Sequence, residues 1–142
     1  MKVLITGGAG YLGTVLTEEI LNRFPYAKVI VYDNLMYKQD GLFSFFKYPK
    51  DRFEFVYGDV RDKNSLLEQL QKLDKNNDYV IPLAAIVGFP ACARDEKLAT
   101  AVNFEHVKYI VQSTRCRIIY PNTNSGYGVS DGEAHCTEET PL

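Results

Sequence analysis

Two hydrophobic periods take turns along this chain. Short aliphatic, β-branched and aromatic runs read as strands: Lys2 to Thr6, Lys28 to Tyr32, Phe53 to Tyr57, Asp78 to Ile81 and Arg117 to Tyr120. Between them, apolar residues recur every three or four positions. Leu12, Leu16, Ile20 and Phe24, with Val15 beside them, predict a helix over about 11–23 that turns this face inward. Leu66, Leu67, Leu70 and Leu73 form a second stripe, with Asp62 placed to cap its helix. A long helix is expected from Asp95 to Thr114, with Leu98, Ala101, Val107, Ile110 and Val111 as its apolar positions. The aromatic patch Leu42-Phe43-Ser44-Phe45-Phe46 predicts a short helix before Pro49, and Pro82 marks the end of the fourth strand. From Pro121 onward the chain turns polar, with Gly126, Gly128 and Gly132.

Strands alternating with helices call for a parallel sheet with helical crossovers. Right-handed crossovers then give the order 3-2-1-4-5 and place a ligand crevice at the carboxyl ends of strands 1 and 4. The expectation is one α/β domain over residues 1–142, a doubly wound Rossmann-type parallel sheet that is incomplete on its C-terminal side. With 142 residues, 46% hydrophobic and 24% charged, the chain has apolar material for a core. A net charge of −2 and scattered Lys and Arg residues argue against a nucleic-acid surface. No apolar run approaches membrane-spanning length and the N-terminus enters a strand at once, so no signal peptide and a cytoplasmic location are expected. Cys92, Cys116 and Cys136 are odd in number and widely spaced, which suits reduced thiols. His135 and Cys136 lack a second pair at ligand spacing and read as loop residues, with no metal.

The richest chemistry lies in Thr6-Gly7-Gly8-Ala9-Gly10-Tyr11-Leu12-Gly13, which ends a strand and opens a helix. An ordinary turn explains glycines, but this context is what a dinucleotide site requires. Gly7 allows the tight turn, Gly10 lets the backbone approach a pyrophosphate, and Gly13 lets the helix pack on the sheet. Backbone N–H groups and the helix dipole then face the anion. Asp33 closes strand 2, about twenty residues past Gly13, where a carboxylate accepts from ribose hydroxyls and repels a 2′-phosphate. That pattern favours NAD over NADP, and no Arg follows within several residues. Asp59 is placed to accept from the adenine amino group while Val60 packs on the ring; as turn and cap residues, Asp59 and Asp62 would need no ligand. After strand 4, the small residues of Leu83-Ala84-Ala85 would let the backbone approach the ribose and nicotinamide.

Thr6 to Gly13, Tyr32-Asp33-Asn34-Leu35, Gly58-Asp59-Val60-Arg61-Asp62 and Leu83-Ala84-Ala85, in this order, resemble the extended short-chain dehydrogenase/reductase family. Within it, the likeness is to NAD-dependent nucleotide-sugar epimerases and dehydratases. The resemblance implies cofactor contacts at Tyr11, Leu12 and Asn34 as well, and at Asn103, where the family carries an Asn near the active site. Pro121 to Gly128 resembles the segment that supplies a catalytic hydroxyl, which falls here on Thr123. It also implies a nucleotide-sugar substrate and a homodimer of the full-length enzyme. Asn124 and Ser125 stand where 4,6-eliminating dehydratases carry Asp-Glu, which favours epimerase or reductase chemistry. Pro82 replaces a frequent His. The family base is a Tyr with a Lys four residues later, and none of the ten Tyr residues here has one. The expectation is therefore the N-terminal, cofactor-binding part of a longer enzyme, without its base helix and substrate domain and inactive by itself. The alternatives are a dinucleotide-binding or sensor module without catalysis, or a partner chain that supplies the missing helix across strand 5.

Overall fold

A computed structural model describes residues 1–122; Thr123 and the glycine-rich segment after it lie outside the described residues. Strands β1 (Lys2–Thr6), β2 (Lys28–Asp33), β3 (Phe53–Tyr57), β4 (Tyr79–Pro82) and β5 (Arg117–Ile118) form a sheet of order β3-β2-β1-β4-β5. All of the strand pairings are parallel, with Thr6 level with Tyr32 on one side and Pro82 on the other. The expected order is the one observed. β5 is two residues long, shorter than the four-residue run predicts, because Ile119 and Tyr120 leave the ladder after the bond from Ile119 N–H to the Val80 carbonyl.

Apolar residues point to both faces of β1 and β2, as a sheet covered on both sides requires. Val3, Ile5, Val29 and Val31 meet Ile20 and Leu21 of helix α1 (Tyr11–Arg23), along with Leu42 and Phe45 of a 3-10 turn (Gly41–Phe45). Leu4, Ile30, Tyr32 and Val80 meet Leu66 and Leu70 of helix α2 (Lys63–Leu70) and residues of the long helical segment on the opposite face. Arg52 ties the first layer together by donating to the carbonyls of Leu21, Phe24 and Ala27, where α1 ends. Asp62 caps α2, its side chain accepting from Asn64 and Ser65 N–H at 3.1 Å each.

Two helical expectations need correction. In α1 the buried residues are Gly13, Thr17, Ile20 and Leu21, whereas Leu12, Val15 and Phe24 are exposed. The helix is rotated because its first turn lies directly on the glycine loop, leaving Leu12 to face the cleft. The long helix predicted from Asp95 to Thr114 is helical from Glu96 to Ser113, but in three registers: α4 (Glu96–Thr100), a π-turn (Ala101–Glu105) and α5 (His106–Ser113). The residues it buries are Ala99, Val102, His106 and Ile110, while Val111 faces outward. A short helix α3 (Phe89–Arg94), with Pro90 in its first turn, precedes it and was not foreseen.

Candidate functional site

A cleft of about 880 Å³ opens where β1 and β4 diverge, at the carboxyl ends of the strands. Its floor is the glycine loop. Gly7 has φ +70°, and a Cβ there would come within 2.4 Å of Ala84 N, so the loop can lie on the β4 loop only with glycine in place. A Cβ on Gly13 would stand 2.5 Å from Gly8 Cα and O; the close packing expected there is therefore against the loop itself rather than the sheet. Gly10 is the N-cap of α1 and has no side chain with which to cap it. The first-turn amides of α1 thus have no side-chain acceptor of the kind Asp62 gives α2, and they point toward the cleft end of the helix.

The β2–β3 end of the cleft is polar and pre-set. Asp33 is 9% exposed and anchors two backbone amides, Ala9 N–H at 3.0 Å and Leu35 N–H at 2.7 Å. The second bond holds Leu35 at φ 54°, an unusual conformation for a branched residue. Asp59 accepts from Asn34 Nδ2 at 3.1 Å and from both Nε and Nη2 of Arg61, at 2.9 and 2.6 Å. The Arg61 contacts above all hold its carboxyl down to about 2, so it is an ionised acceptor at neutral pH. Tyr32 supports this loop from the core: its hydroxyl lies 3.0 Å from the Asp59 carbonyl and 3.0 Å from Ser65 Oγ. Val60 is buried behind Asp59 and also borders the cleft.

The β4 end is made of backbone and small side chains. Leu83 N–H donates to the Thr6 carbonyl at 2.8 Å, and Leu83, Ala84 and Ala85 line the wall. Asn103, in the π-turn, grips this loop by both polar atoms: Oδ1 accepts from Ile86 N–H at 2.7 Å and Nδ2 donates to the Ile86 carbonyl at 3.0 Å. Cys92 Sγ adds a bond to the same carbonyl at 3.3 Å. Gly7, Gly10, Tyr11, Leu12, Gly13, Asp33, Asn34, Asp59, Val60, Leu83, Ala84, Ala85 and Asn103 all border this one cleft, whereas Thr123 lies outside the described residues.

Several cleft residues lie beyond the contacts expected from the sequence. Tyr32, Gly58, Met36, Tyr37, Cys92 and Tyr120 also line it. Arg61 comes from the loop after β3, two residues beyond Asp59. Its guanidinium is engaged by Asp59. A signal for Gly58 existed in the Gly-Asp pair after β3, where a Cβ would strike the Tyr32 ring at 2.4 Å. Among the described residues no group of three or more His, Cys, Asp or Glu could hold a metal ion, and Cys92 and Cys116 are free thiols.

Residues 3–142 match the model of the NAD dependent epimerase/dehydratase family. The chain belongs to this family. A curated member, CDP-paratose 2-epimerase from Salmonella typhi, is 32% identical over 133 residues, covering 90% of this chain and 38% of its own length. Among solved structures, dTDP-glucose 4,6-dehydratase from Streptomyces venezuelae, crystallised with NAD, superposes with a TM-score of 0.85 at 27% identity. That match covers the whole of this chain and 45% of the dehydratase. UDP-glucose 4-epimerase from Thermus thermophilus, in complex with NAD, gives a TM-score of 0.63 at 27% identity over 80% of this chain and 33% of the epimerase. The chain thus spans less than half the length of these relatives. Among its described residues, no helix is long and apolar enough to cross a membrane.

Proposed function

We propose that this chain holds NAD for an enzyme that interconverts nucleotide-sugars through a keto-sugar. The observation that carries the reading is the layout of the cleft. It runs from an acidic end at Asp33 and Asp59, over a glycine loop whose helix has no side-chain cap, to a small-residue wall at Leu83 to Ala85. A dinucleotide needs those three surfaces in that order: carboxylates for the adenosine hydroxyls and amine, backbone amides for the pyrophosphate, and a close backbone wall for the second nucleoside. The cleft volume suits a ligand of that size.

Bound there, NAD supplies a reversible hydride acceptor for a sugar carbon. The chain's own residues bind and orient. Asp33 would accept from the ribose and reject a 2′-phosphate; Asp59, kept ionised by Arg61, would accept from the adenine amine; Asn103 fixes the Ile86 end of the wall that would meet the second nucleoside. Family resemblance assigns Thr123 the hydroxyl that hydrogen-bonds the reacting oxygen. Asn124 and Ser125 in place of an acidic pair favour epimerisation over 4,6-elimination. The acid–base group is not supplied by a Tyr-x-x-x-Lys within these residues, so binding without turnover is the activity assigned to this stretch. The free thiols Cys92 and Cys116 suit a cytoplasmic setting.

Calorimetry tests the reading. NAD is expected to bind at least about tenfold more tightly than NADP, and Asp33→Asn to narrow that gap. Equal affinities in the unsubstituted protein would remove Asp33 from its role, and failure to bind either dinucleotide would reject the function. Interconversion of nucleotide-sugars by this stretch with added NAD would show that another residue serves as base.

A further inference from the structure

His106 opens α5 with a side chain 2% exposed, in the otherwise apolar layer of Leu4, Val80, Val102 and Ile110. Its place depends on the π-turn. The His106 N–H bonds to the Ala101 carbonyl five residues back, passing over Val102. The Val102 carbonyl is taken by the same residue's ring, 2.6 Å from Nδ1. A carbonyl can only accept, so Nδ1 carries the proton and Nε2 is left as an acceptor. Nε2 lies 3.1 Å from Thr6 Oγ1, which donates to it. Burial keeps the ring neutral, as this arrangement requires.

Thr6 is the joint between the two walls of the cleft. Its carbonyl takes Leu83 N–H, and the next residue, Gly7, begins the glycine loop and packs against Ala84. Three residues before His106, within the π-turn, Asn103 holds Ile86 by both backbone atoms. One turn of helix is therefore fixed at one end to the start of the glycine loop and at the other to the β4 loop.

We propose that His106 is a positioning residue. Through Thr6 and the turn that carries Asn103, it sets the glycine loop and the Leu83–Ile86 loop at the separation that fits the half of a dinucleotide beyond its pyrophosphate. This inference rests on the dinucleotide reading above. With Asp33 and Asp59 at the adenosine end, the second nucleoside must extend toward β4. ADP, which stops at the diphosphate, makes no demand on that separation, whereas NAD does. A residue that merely stabilised the fold would affect both ligands alike.

The test compares NAD and ADP binding by calorimetry in Thr6→Val, which keeps the shape of the strand residue and deletes its hydroxyl, and in His106→Phe and His106→Gln. Thr6→Val and His106→Phe are expected to weaken NAD by about tenfold, in line with one buried hydrogen bond, and to leave ADP within about twofold. His106→Gln, which can still accept from Thr6, is expected to recover part of the loss. Equal losses for NAD and ADP, or no loss for NAD, would overturn the proposal. Amide hydrogen exchange in the ligand-free protein separates its failure from that of the nucleotide reading. In Thr6→Val, Ile86 N–H is expected to exchange about tenfold faster while Leu4 N–H is unchanged, because only the first depends on the turn. If the unsubstituted protein bound neither ligand, the nucleotide reading would fail, and an unchanged Ile86-to-Leu4 ratio would overturn the tie on its own.

Discussion

His106 is buried in the core and Asp59 borders the cleft, and their charge states have opposite causes. Burial lowers the imidazole from its usual 6.5, the Val102 carbonyl offsetting this only in part, whereas the Arg61 hydrogen bonds lower the Asp59 carboxyl from 3.8 to about 2. Both folded values lie below the unfolded ones, so in both cases the unfolded chain binds more protons and stability falls with acid. The windows differ. The His106 contribution is complete above pH 6.5 and declines as pH falls below it; that of Asp59 is complete above 3.8 and is lost as pH falls through about 2. Urea midpoints measured between pH 8 and pH 5 are expected to drop through the first window, and the drop to flatten in His106→Phe. An equal slope in the variant would show that other groups titrate there. The sequence made Asp33 and Asp59 visible, since the first closes a strand and the second lies just past one, each strand defined by its own pattern. His106 gave no such signal: one polar residue in a helical run has no period, and its partner Thr6 is 100 residues away.

Among the elements, α1 shows where pattern reading goes astray. A period of four in Leu12, Leu16, Ile20 and Phe24 marks a helix correctly but selects the wrong face, since glycine counts for nothing in a hydrophobic pattern. The packing contact is Gly13 on Gly8, and the face follows from that approach. Gly13→Ala is expected to destabilise the fold by about 1–3 kcal/mol through overpacking against backbone, and to weaken NAD binding with it; denaturant titration and calorimetry on one preparation check both. The same face carries Thr17, fully buried, whose Oγ1 has no hydrogen-bond partner among the described residues. Thr17→Val, which replaces an unpaired hydroxyl with a methyl group, is expected to raise stability by about 1 kcal/mol, seen as a higher urea midpoint with an unchanged slope. The long helix fails differently. Its π-turn inserts a register change that side-chain hydrophobicity does not encode, so its extent was legible but its inward face was not.

At the scale of the molecule, two cores lie on either side of the sheet, and the cleft opens at the carboxyl ends of its strands. A ligand that bridges the glycine loop and the β4 loop therefore couples to global unfolding. NAD at about 100 times its Kd is expected to add roughly 2.7 kcal/mol of stability, and for a chain of this size to raise Tm by several degrees. A Tm that ignores NAD while responding to ADP would place the ligand on the adenosine end only. What the sequence by itself determined is the set of strands, their order and the place of the glycine loop. Each of these follows from a local rule: a two- or four-residue period, the handedness of a crossover, or a φ value that only glycine adopts readily. Tertiary structure decided what happens between elements: Asn34 on Asp59, Tyr32 beneath that loop, Asn103 on Ile86, and His106 on Thr6. Those contacts join polar groups from separate elements at distances of 3 Å or so, and nothing in the spacing of one chain segment records which polar group of another will stand opposite it once the sheet has formed.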